Sequence, residues 1–465
     1  MNPSSFSRRN FVQSTAFASV VPSITAKSYA QILGANERVN IGLLGFGLIG
    51  RIHARTFQGL KSARIAAVSD AFAPRMDACL AVAADAKKYG DFRALLDDSD
   101  IDAVVVATPD HWHALHTMLA CAAGKDVYVE KPAHLFVREG EWMQQVAAKH
   151  KRVVQVGTQQ RSGPHYQRAK ELLSEGAIGE IVSIQCDFIR NVMPGIGSPA
   201  DGDAPAGLDW EMFLGPAPLR RYNVNRGLYH FRWFWDTAGG QMTNLGHHSL
   251  DIAHWVFDIA GPQSVSSSGG RRFLKDNGET PDTQNAIIEY EKFPAVIQIR
   301  EAGGNGSAKS SLAFIGTKGT MTLGRSGFEI IPDRKIHPRN VFAGMIGADA
   351  DGGHPIGGPQ PIAEAKGQQW CEPLSDLTGN SAQQYTLHAQ NFIDCIKSRQ
   401  TPHSDLKSSH WVSTTCHLTN ISLRTGRKIE WDAAANCVAD DAEANAFLVR
   451  EYREPWATEL KNLLT

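Results

Sequence analysis

Short apolar runs alternate with amphipathic stretches over the first third of the chain. Val39–Leu44 is suited to a strand buried on both faces. Ala63–Ser69, Ile101–Ala107, Asp126–Val129 and Val153–Val156 repeat that pattern. Between these runs the spacing predicts helices over Arg51–Gln58, Ala73–Ala84, Trp112–Ala123 and 137–149, with Gly124 stopping the third. Strands alternating with helices predict an α/β fold with a doubly wound parallel sheet. Farther along, Gln284–Tyr290, Ala295–Glu301, Ser311–Ile315 and Thr320–Leu323 show the short runs and turn signals of an antiparallel sheet, with Lys318-Gly319 as a tight turn. Ala382–Ser398 and Ser409–Thr425 are expected to be helices that close the fold. The segments 191–228 and 334–380 are Gly/Pro-rich and irregular, the second an excursion over a pocket or onto a neighbouring subunit.

The chain divides accordingly into a dinucleotide-binding domain over 37–160, a substrate and oligomerisation domain over 161–440, and a tail over 441–465. There is no internal repeat and no low-complexity tract. Of the 465 residues, 42% are hydrophobic and 20% charged, which fits a globular chain and excludes disordered, collagen-like and coiled-coil classes. Lys and Arg number 47 against 48 Asp and Glu, so the basic footprint of a nucleic-acid binder is absent. Seven scattered cysteines without a CxxC argue against a disulfide framework or a cysteine zinc site. No apolar stretch reaches the ~18 residues a membrane span needs, so no membrane anchor is expected after processing.

Residues 1–30 read as an address. Ser7-Arg8-Arg9-Asn10 precedes a weakly apolar segment, Phe11–Ala26, and Ser28-Tyr29-Ala30 supplies small residues for cleavage. Paired arginines ahead of such a segment resemble a twin-arginine (Tat) signal. The expectation is a periplasmic or secreted protein handled by the Tat translocase.

Val39–Leu44 runs directly into Gly45-Phe46-Gly47-Leu48-Ile49-Gly50 and then a helix. In this strand–GxGxxG–helix arrangement Gly45 permits the tight turn, Gly47 lets backbone approach a pyrophosphate, and Gly50 lets helix and strand pack closely. Free N–H groups at the helix start face the phosphates. Asp70 ends the second strand, near the spacing of the acid that binds ribose hydroxyls. A carboxylate there repels a 2′-phosphate, which favours NAD over NADP. Ligands of such sheets lie beyond the carboxyl ends of the strands. Thr108, Pro109 and the residues after Val129 are therefore expected at the cofactor. Those residues include Glu130 and Lys131, and an ammonium at Lys131 can stabilise an alkoxide forming before hydride leaves. Glu130 can position it.

The segments GFGLIGRIHA, ATPDHWH, GKDVYVEKP and GGQMTNLGHHSLDIAHW occur in this order. Together they resemble the Gfo/Idh/MocA oxidoreductases, over about residues 38 to 460. The resemblance implies an amino-terminal Rossmann domain and a carboxyl-terminal α/β domain with a large, mostly antiparallel sheet. It also implies sugar, polyol or glycoside substrates, Lys131 as a catalytic residue, and His113 at the cofactor. In the family's D-x-G-x-H-x-x-D segment the histidine maps to His248 and the first acid is replaced by Asn244. Positions 244 and 248 share a helix face. An Asp at 244 would raise the histidine's pKa, whereas Asn can only orient the ring. His248 is therefore expected to act as a neutral base, with a pKa closer to the ordinary value than in relatives carrying the acid. His247 competes for the same role, and Asp251 and Arg161 are expected to contact substrate.

Tyr229–Asp236 is dense in aromatic residues, and Trp235 is expected to stack on a sugar ring. His111, His113 and His116 form one group and His247, His248 and His254 another, and the second with its Asp251 has some ligand flavour, but no HExxH or carboxylate-rich triad accompanies them, so no metal is expected. Three functions remain open. The first is an exported oxidoreductase that moves hydride between a carbohydrate hydroxyl and tightly bound NAD, as a homo-oligomer. The second is a redox-neutral glycoside hydrolase working by transient oxidation and elimination. The third is a non-enzymatic sugar-binding protein.

Overall fold

The computed structural model describes residues 38–303, 309–335 and 368–465. The expected signal segment 1–30 and most of the irregular excursion lie outside the described residues.

Six short strands form the first sheet: β1 (Val39–Leu44), β2 (Ala63–Ser69), β3 (Lys87–Tyr89), β4 (Ala103–Val106), β5 (Asp126–Val129) and β6 (Val154–Val156). They pair in parallel in the order β3-β2-β1-β4-β5-β6, so the order reverses beside β1. The crossovers are α1 (Leu48–Gly59), α2 (Ala73–Cys79), α3 (Phe92–Asp97), α4 (Asp110–Ala122) and α5 (Val137–Lys149). Every residue of β4 and β5 is buried, as their unbroken apolar runs require. Two elements carry little apolar periodicity and were not expected: the polar edge strand β3 and the one-and-a-half-turn α3. The helix expected to reach Ala84 ends at Cys79.

Next come α6 (Pro164–Ser174), β7 (Ile181–Ile189), α7 (Trp210–Leu214) and α8 (His247–Phe257), then β8 (Ser264–Gly270), β9 (Thr283–Glu289), β10 (Pro294–Arg300), β11 (Lys309–Gly316), β12 (Gly319–Gly324), β13 (Gly327–Pro332) and β14 (Leu374–Asp376). The chain closes with α9 (Ser381–Ser398), α10 (Leu406–Thr425), β15 (Ile429–Asp432), β16 (Cys437–Val438), α11 (Ala442–Ala446) and α12 (Trp456–Leu464). The second sheet has ten strands in the order β14-β13-β12-β11-β7-β10-β9-β8-β15-β16. It is antiparallel except where β7 and β10 run together. One face packs on α8 and α10, with Leu250, Ile252, Ile297, Phe314 and Val412 in one core.

The closing helices do more than cover the second sheet. Phe392, Ile393 and Ile396 of α9 pack with Ile41, Phe57 and Tyr128 of the parallel-sheet domain. Trp456 and Leu463 of α12 join Phe92 and Trp112 in its other core layer. The tail therefore belongs to the packing that shapes the cleft at the strand ends. Among the described residues no helix is long and apolar enough to cross a membrane.

Candidate active site

Gly45 sits at φ +90°, and a Cβ there would stand 2.8 Å from the Ala107 carbonyl oxygen. A Cβ on Gly50 would run into the Gly45 carbonyl. The loop can thus turn this tightly only with glycine at both positions. Gly47 opens toward the cleft, where a Cβ would meet the Arg75 guanidinium at 3.6 Å. No side chain caps the start of α1, which leaves its N–H groups to a ligand. The cleft walls include Gly45, Gly47, Leu48, Ile49, Asp70, Thr108 and Pro109, as expected from sequence. Trp112 and His116 of the ATPDHWH segment, Tyr229 and Arg232 of the aromatic run, and Arg75, which no sequence signal marked, also line it. These residues fit a dinucleotide: a glycine cradle, free helix N–H groups and a carboxylate on the ribose side.

Asp70 is held in place by the loop it serves. Its Oδ2 accepts the Phe46 N–H at 2.7 Å and its Oδ1 the Phe72 N–H at 2.9 Å. Burial pushes its pKa up, opposed by Arg75, whose guanidinium lies 3.8 Å away, and by those two N–H groups. The Phe46 side chain itself points into the core.

At the end of β5, Glu130 Oε1 meets His53 Nε2 at 2.7 Å and Oε2 accepts the Lys131 N–H at 3.2 Å. Glu130 positions the Lys131 backbone as expected, but it is buried and does not line the cofactor cleft. His113, expected at the cofactor, is likewise a brace. Its Nδ1 lies 2.7 Å from the Pro132 carbonyl and its Nε2 2.9 Å from that of Thr108, which ties two strand-end loops together.

The Lys131 ammonium donates to Asn244 twice, to Oδ1 at 2.9 Å and to the main-chain oxygen at 3.0 Å. Asn244 lies in a π-helical turn, Met242–Gly246, which leads into α8. Such turns interrupt the regular carbonyl ladder and recur at functional sites. Burial pushes the Lys131 pKa down, Arg232 and Arg325 push the same way, and Glu130 and Asp110 oppose them. Asn244 was expected to orient His248. Instead its amide serves Lys131 on one side and Gln241 Oε1, at 3.0 Å, on the other.

Of the adjacent histidines, His248 reaches open space. It lines a cavity of about 400 Å³ together with Tyr166, Leu245, Ser249 and Arg325. An Arg325 nitrogen lies 3.5 Å from its Nε2, and its buried Nδ1 has no partner. Guanidinium only donates, so Nε2 is the accepting nitrogen and the ring is neutral. Burial first, then Lys131 and Arg325, hold its pKa well below the ordinary histidine range, a larger departure than the sequence suggested. His247 is fully buried against Ser413 Oγ at 3.2 Å, so it does not compete for substrate.

Three expected substrate contacts are corrected. Arg161 and Asp251 form a buried forked ion pair, with Nε 3.0 Å from Oδ2 and a terminal nitrogen 2.6 Å from Oδ1. Ser408 Oγ takes another Arg161 donor at 2.9 Å. The pair knits the turn after β6 to α8 and α10 and is buried away from any ligand. Trp235 lies under the Arg424 guanidinium, lining a separate small cavity with Phe136 and Phe447. Among the described residues no group of three or more His, Cys, Asp or Glu side chains is placed to hold a metal ion.

The NAD-binding Rossmann domain of an oxidoreductase family matches residues 39–158, and its C-terminal α/β domain matches 193–269 and 375–458. An inositol 2-dehydrogenase of Rhodococcus jostii is 32% identical over 310 residues, which is 65% of this chain and 78% of that protein. The chain belongs to the Gfo/Idh/MocA oxidoreductase family. Inositol 2-dehydrogenases 1 and 2 of Saccharopolyspora erythraea are 39% and 37% identical over 32% and 54% of this chain; the matches span 45% and 63% of those proteins. The fold also appears in solved structures. A levoglucosan dehydrogenase complex with NADH and levoglucosan superposes with TM-score 0.62 at 17% identity, over 84% of this chain and 99% of that one. The WlbA dehydrogenase of Bordetella pertussis, in complex with NADH and UDP-GlcNAcA, gives 0.61 at 19%, over 85% and 99%.

Proposed function

We propose that this protein is an NAD-dependent oxidoreductase acting on a secondary hydroxyl of a sugar, polyol or glycoside. The observation that carries the reading is a glycine-built dinucleotide cleft walled by Thr108 and Pro109 after β4, with Lys131 just past the end of the neighbouring strand β5 and held by Asn244, four residues before His248. Bound in the cleft, the nicotinamide supplies the hydride-accepting carbon. The residues of the chain do the rest. Lys131 donates to the substrate oxygen and stabilises the negative charge that grows there. His248 presents the lone pair of Nε2, which faces the Arg325 guanidinium at 3.5 Å when no substrate is bound, to the hydroxyl proton. The cavity it lines gives the carbohydrate ring room beside Tyr166 and Arg325. NAD is favoured over NADP because the Asp70 carboxylate forms the cleft wall where ribose hydroxyls would lie.

The test is direct. Titration with NAD followed by a panel of sugars and polyols is expected to give absorbance at the nicotinamide band. Lys131→Met is expected to lower kcat by roughly 10²- to 10⁴-fold with cofactor binding retained. A folded protein that fails to bind NAD(H) would overturn the reading. The resemblance of Ser7–Ala30 to a twin-arginine signal supports a further proposal, export through the Tat translocase. Replacing Arg8 and Arg9 with lysine is expected to leave the precursor in the cytoplasm.

A further inference from the structure

Behind Lys131 a line of side chains runs to a buried carboxylate. Lys131 donates to Asn244 Oδ1, Asn244 Nδ2 donates to Gln241 Oε1 at 3.0 Å, and Gln241 Nε2 donates to Glu301 Oε1 at 2.7 Å. Gln241 is 1% exposed and Glu301 0%. Glu301 directly follows β10, where its main chain is clamped on both sides: its N–H donates to the Asp282 carbonyl and its carbonyl accepts from Val192. Arg190, just after β7, donates through Nε to the same Oε1 at 2.7 Å. Oε2 is buried and has no hydrogen-bond partner.

The two ends allow one direction only. A carboxylate can only accept, so Gln241 must turn its NH₂ toward Glu301 and its oxygen toward Asn244. Asn244 must then turn its NH₂ toward Gln241 and its oxygen toward Lys131. An amide in place of Glu301 could donate as well as accept, and the line could reverse and present an NH₂ to a neutral Lys131 amine. We propose that Glu301 is a positioning residue for Lys131, fixing the direction of this relay so that the Asn244 side-chain oxygen always faces the ammonium, beside the main-chain oxygen that lies there in either direction. The nearer charges do not supply that constraint. Around Lys131 lie Glu130, Asp110, Arg232 and Arg325, with His247 and His248 on α8 and Cys416 on α10, and burial itself disfavours the ammonium. The relay works against that burial.

This inference rests on Lys131 as the residue that steadies the substrate oxygen, but its test needs no substrate. The unliganded protein is treated with acetic anhydride across a pH series, and Lys131 acetylation is followed by mass spectrometry. Only the neutral amine reacts. Glu301→Gln is expected to move the labelling midpoint down by about one pH unit, a roughly tenfold rise in reactive amine at fixed pH. Gln241→Met interrupts the relay without touching the Arg190 pair and is expected to give the same shift, so it carries the test if Glu301→Gln folds poorly. Asn244→Asp places an acceptor-only group directly on Lys131, and in that background Glu301→Gln is expected to have little further effect. An equal shift with Asp at 244, or no shift in either relay variant, would overturn the proposal. Absence of turnover with intact labelling shifts would count against the proposed function alone.

Discussion

An Arg325 guanidinium nitrogen stands 3.5 Å from Nε2 of His248, across the cavity that α8 and the β12–β13 turn share. The contact sets a measurable pH dependence. Burial, Lys131 and Arg325 all lower the His248 pKa, so the ring is neutral at pH 7 and the acidic limb of kcat/KM lies well below pH 6.5. Removing one of those cations raises the pKa. Arg325→Met is therefore expected to move the acidic limb upward, toward the ordinary histidine value. Asn244→Asp adds a carboxylate and should move it the same way. A pH–rate series on the three proteins checks the sign, and an acidic limb that stays put in both variants contradicts His248 as the base.

Cofactor choice depends on the wall formed by Asp70 and Arg75. The carboxylate repels a 2′-phosphate, and Arg75, 3.8 Å away, is occupied by that carboxylate. Asp70→Ser removes the repulsion and frees the guanidinium to meet a phosphate. We expect kcat/KM for NAD to fall roughly ten- to hundredfold, the worth of a charge-assisted contact of ~1.5–3 kcal/mol, while that for NADP rises. Parallel kinetics with the two cofactors decide it, and equal losses with both would refute the assignment of Asp70 to ribose.

The Arg161–Asp251 pair is expected to govern stability rather than turnover. Both side chains are 1% exposed, so Arg161→Met leaves a buried carboxylate without its cation. Such losses cost about 3–5 kcal/mol, and replacing both members with apolar residues of similar size recovers most of that. Denaturant unfolding of Arg161→Met and of the double variant Arg161→Met with Asp251→Leu tests this. If the single variant is fully stable but has lost substrate affinity, the substrate role first assigned to Arg161 is restored.

What was legible from sequence follows from where each constraint lies along the chain. Gly45, Gly47, Gly50, Asp70, Thr108 and Pro109 answer to local geometry: a tight turn, a helix start and strand ends. Strand and helix periodicity places them without further information. Asp251 and Arg161 were misread because their partnership spans 90 residues, and a charged side chain near a domain junction looks the same free or paired. Arg325 was invisible for a similar reason, since it faces His248 from a turn 77 residues away. Within Tyr229–Asp236 the aromatic run was visible but its direction was not. Tyr229 and Phe231 turn to the cleft, Phe234 is buried in the interior, and Trp235 meets Arg424. The strands missed in the second sheet include Ser264–Gly270, whose Ser/Gly composition hides a strand paired on both sides.

The face of the ten-stranded sheet that stands open among the described residues carries the last prediction. Burial alternates along β9 and β10, with one set of side chains packed toward the helices and the other turned outward. Ile287 and Val296 belong to the outward set, lie directly opposite one another across the two strands, and are 48% and 40% exposed; Val182 of β7 is 53% exposed. Adjacent β-branched residues on a broad sheet face gain by burial against a like surface, at roughly 25 cal/mol per Å² of apolar area removed from water. A two-fold pairing of this face is self-complementary and buries the same residues on both copies. The expected outcome is a homo-oligomer in light scattering that Ile287→Asp with Val296→Asp converts to a smaller species. Each surface change by itself costs the isolated fold only within about 0.5 kcal/mol. If the parent and the double variant elute with the same mass, this face does not pair the subunits.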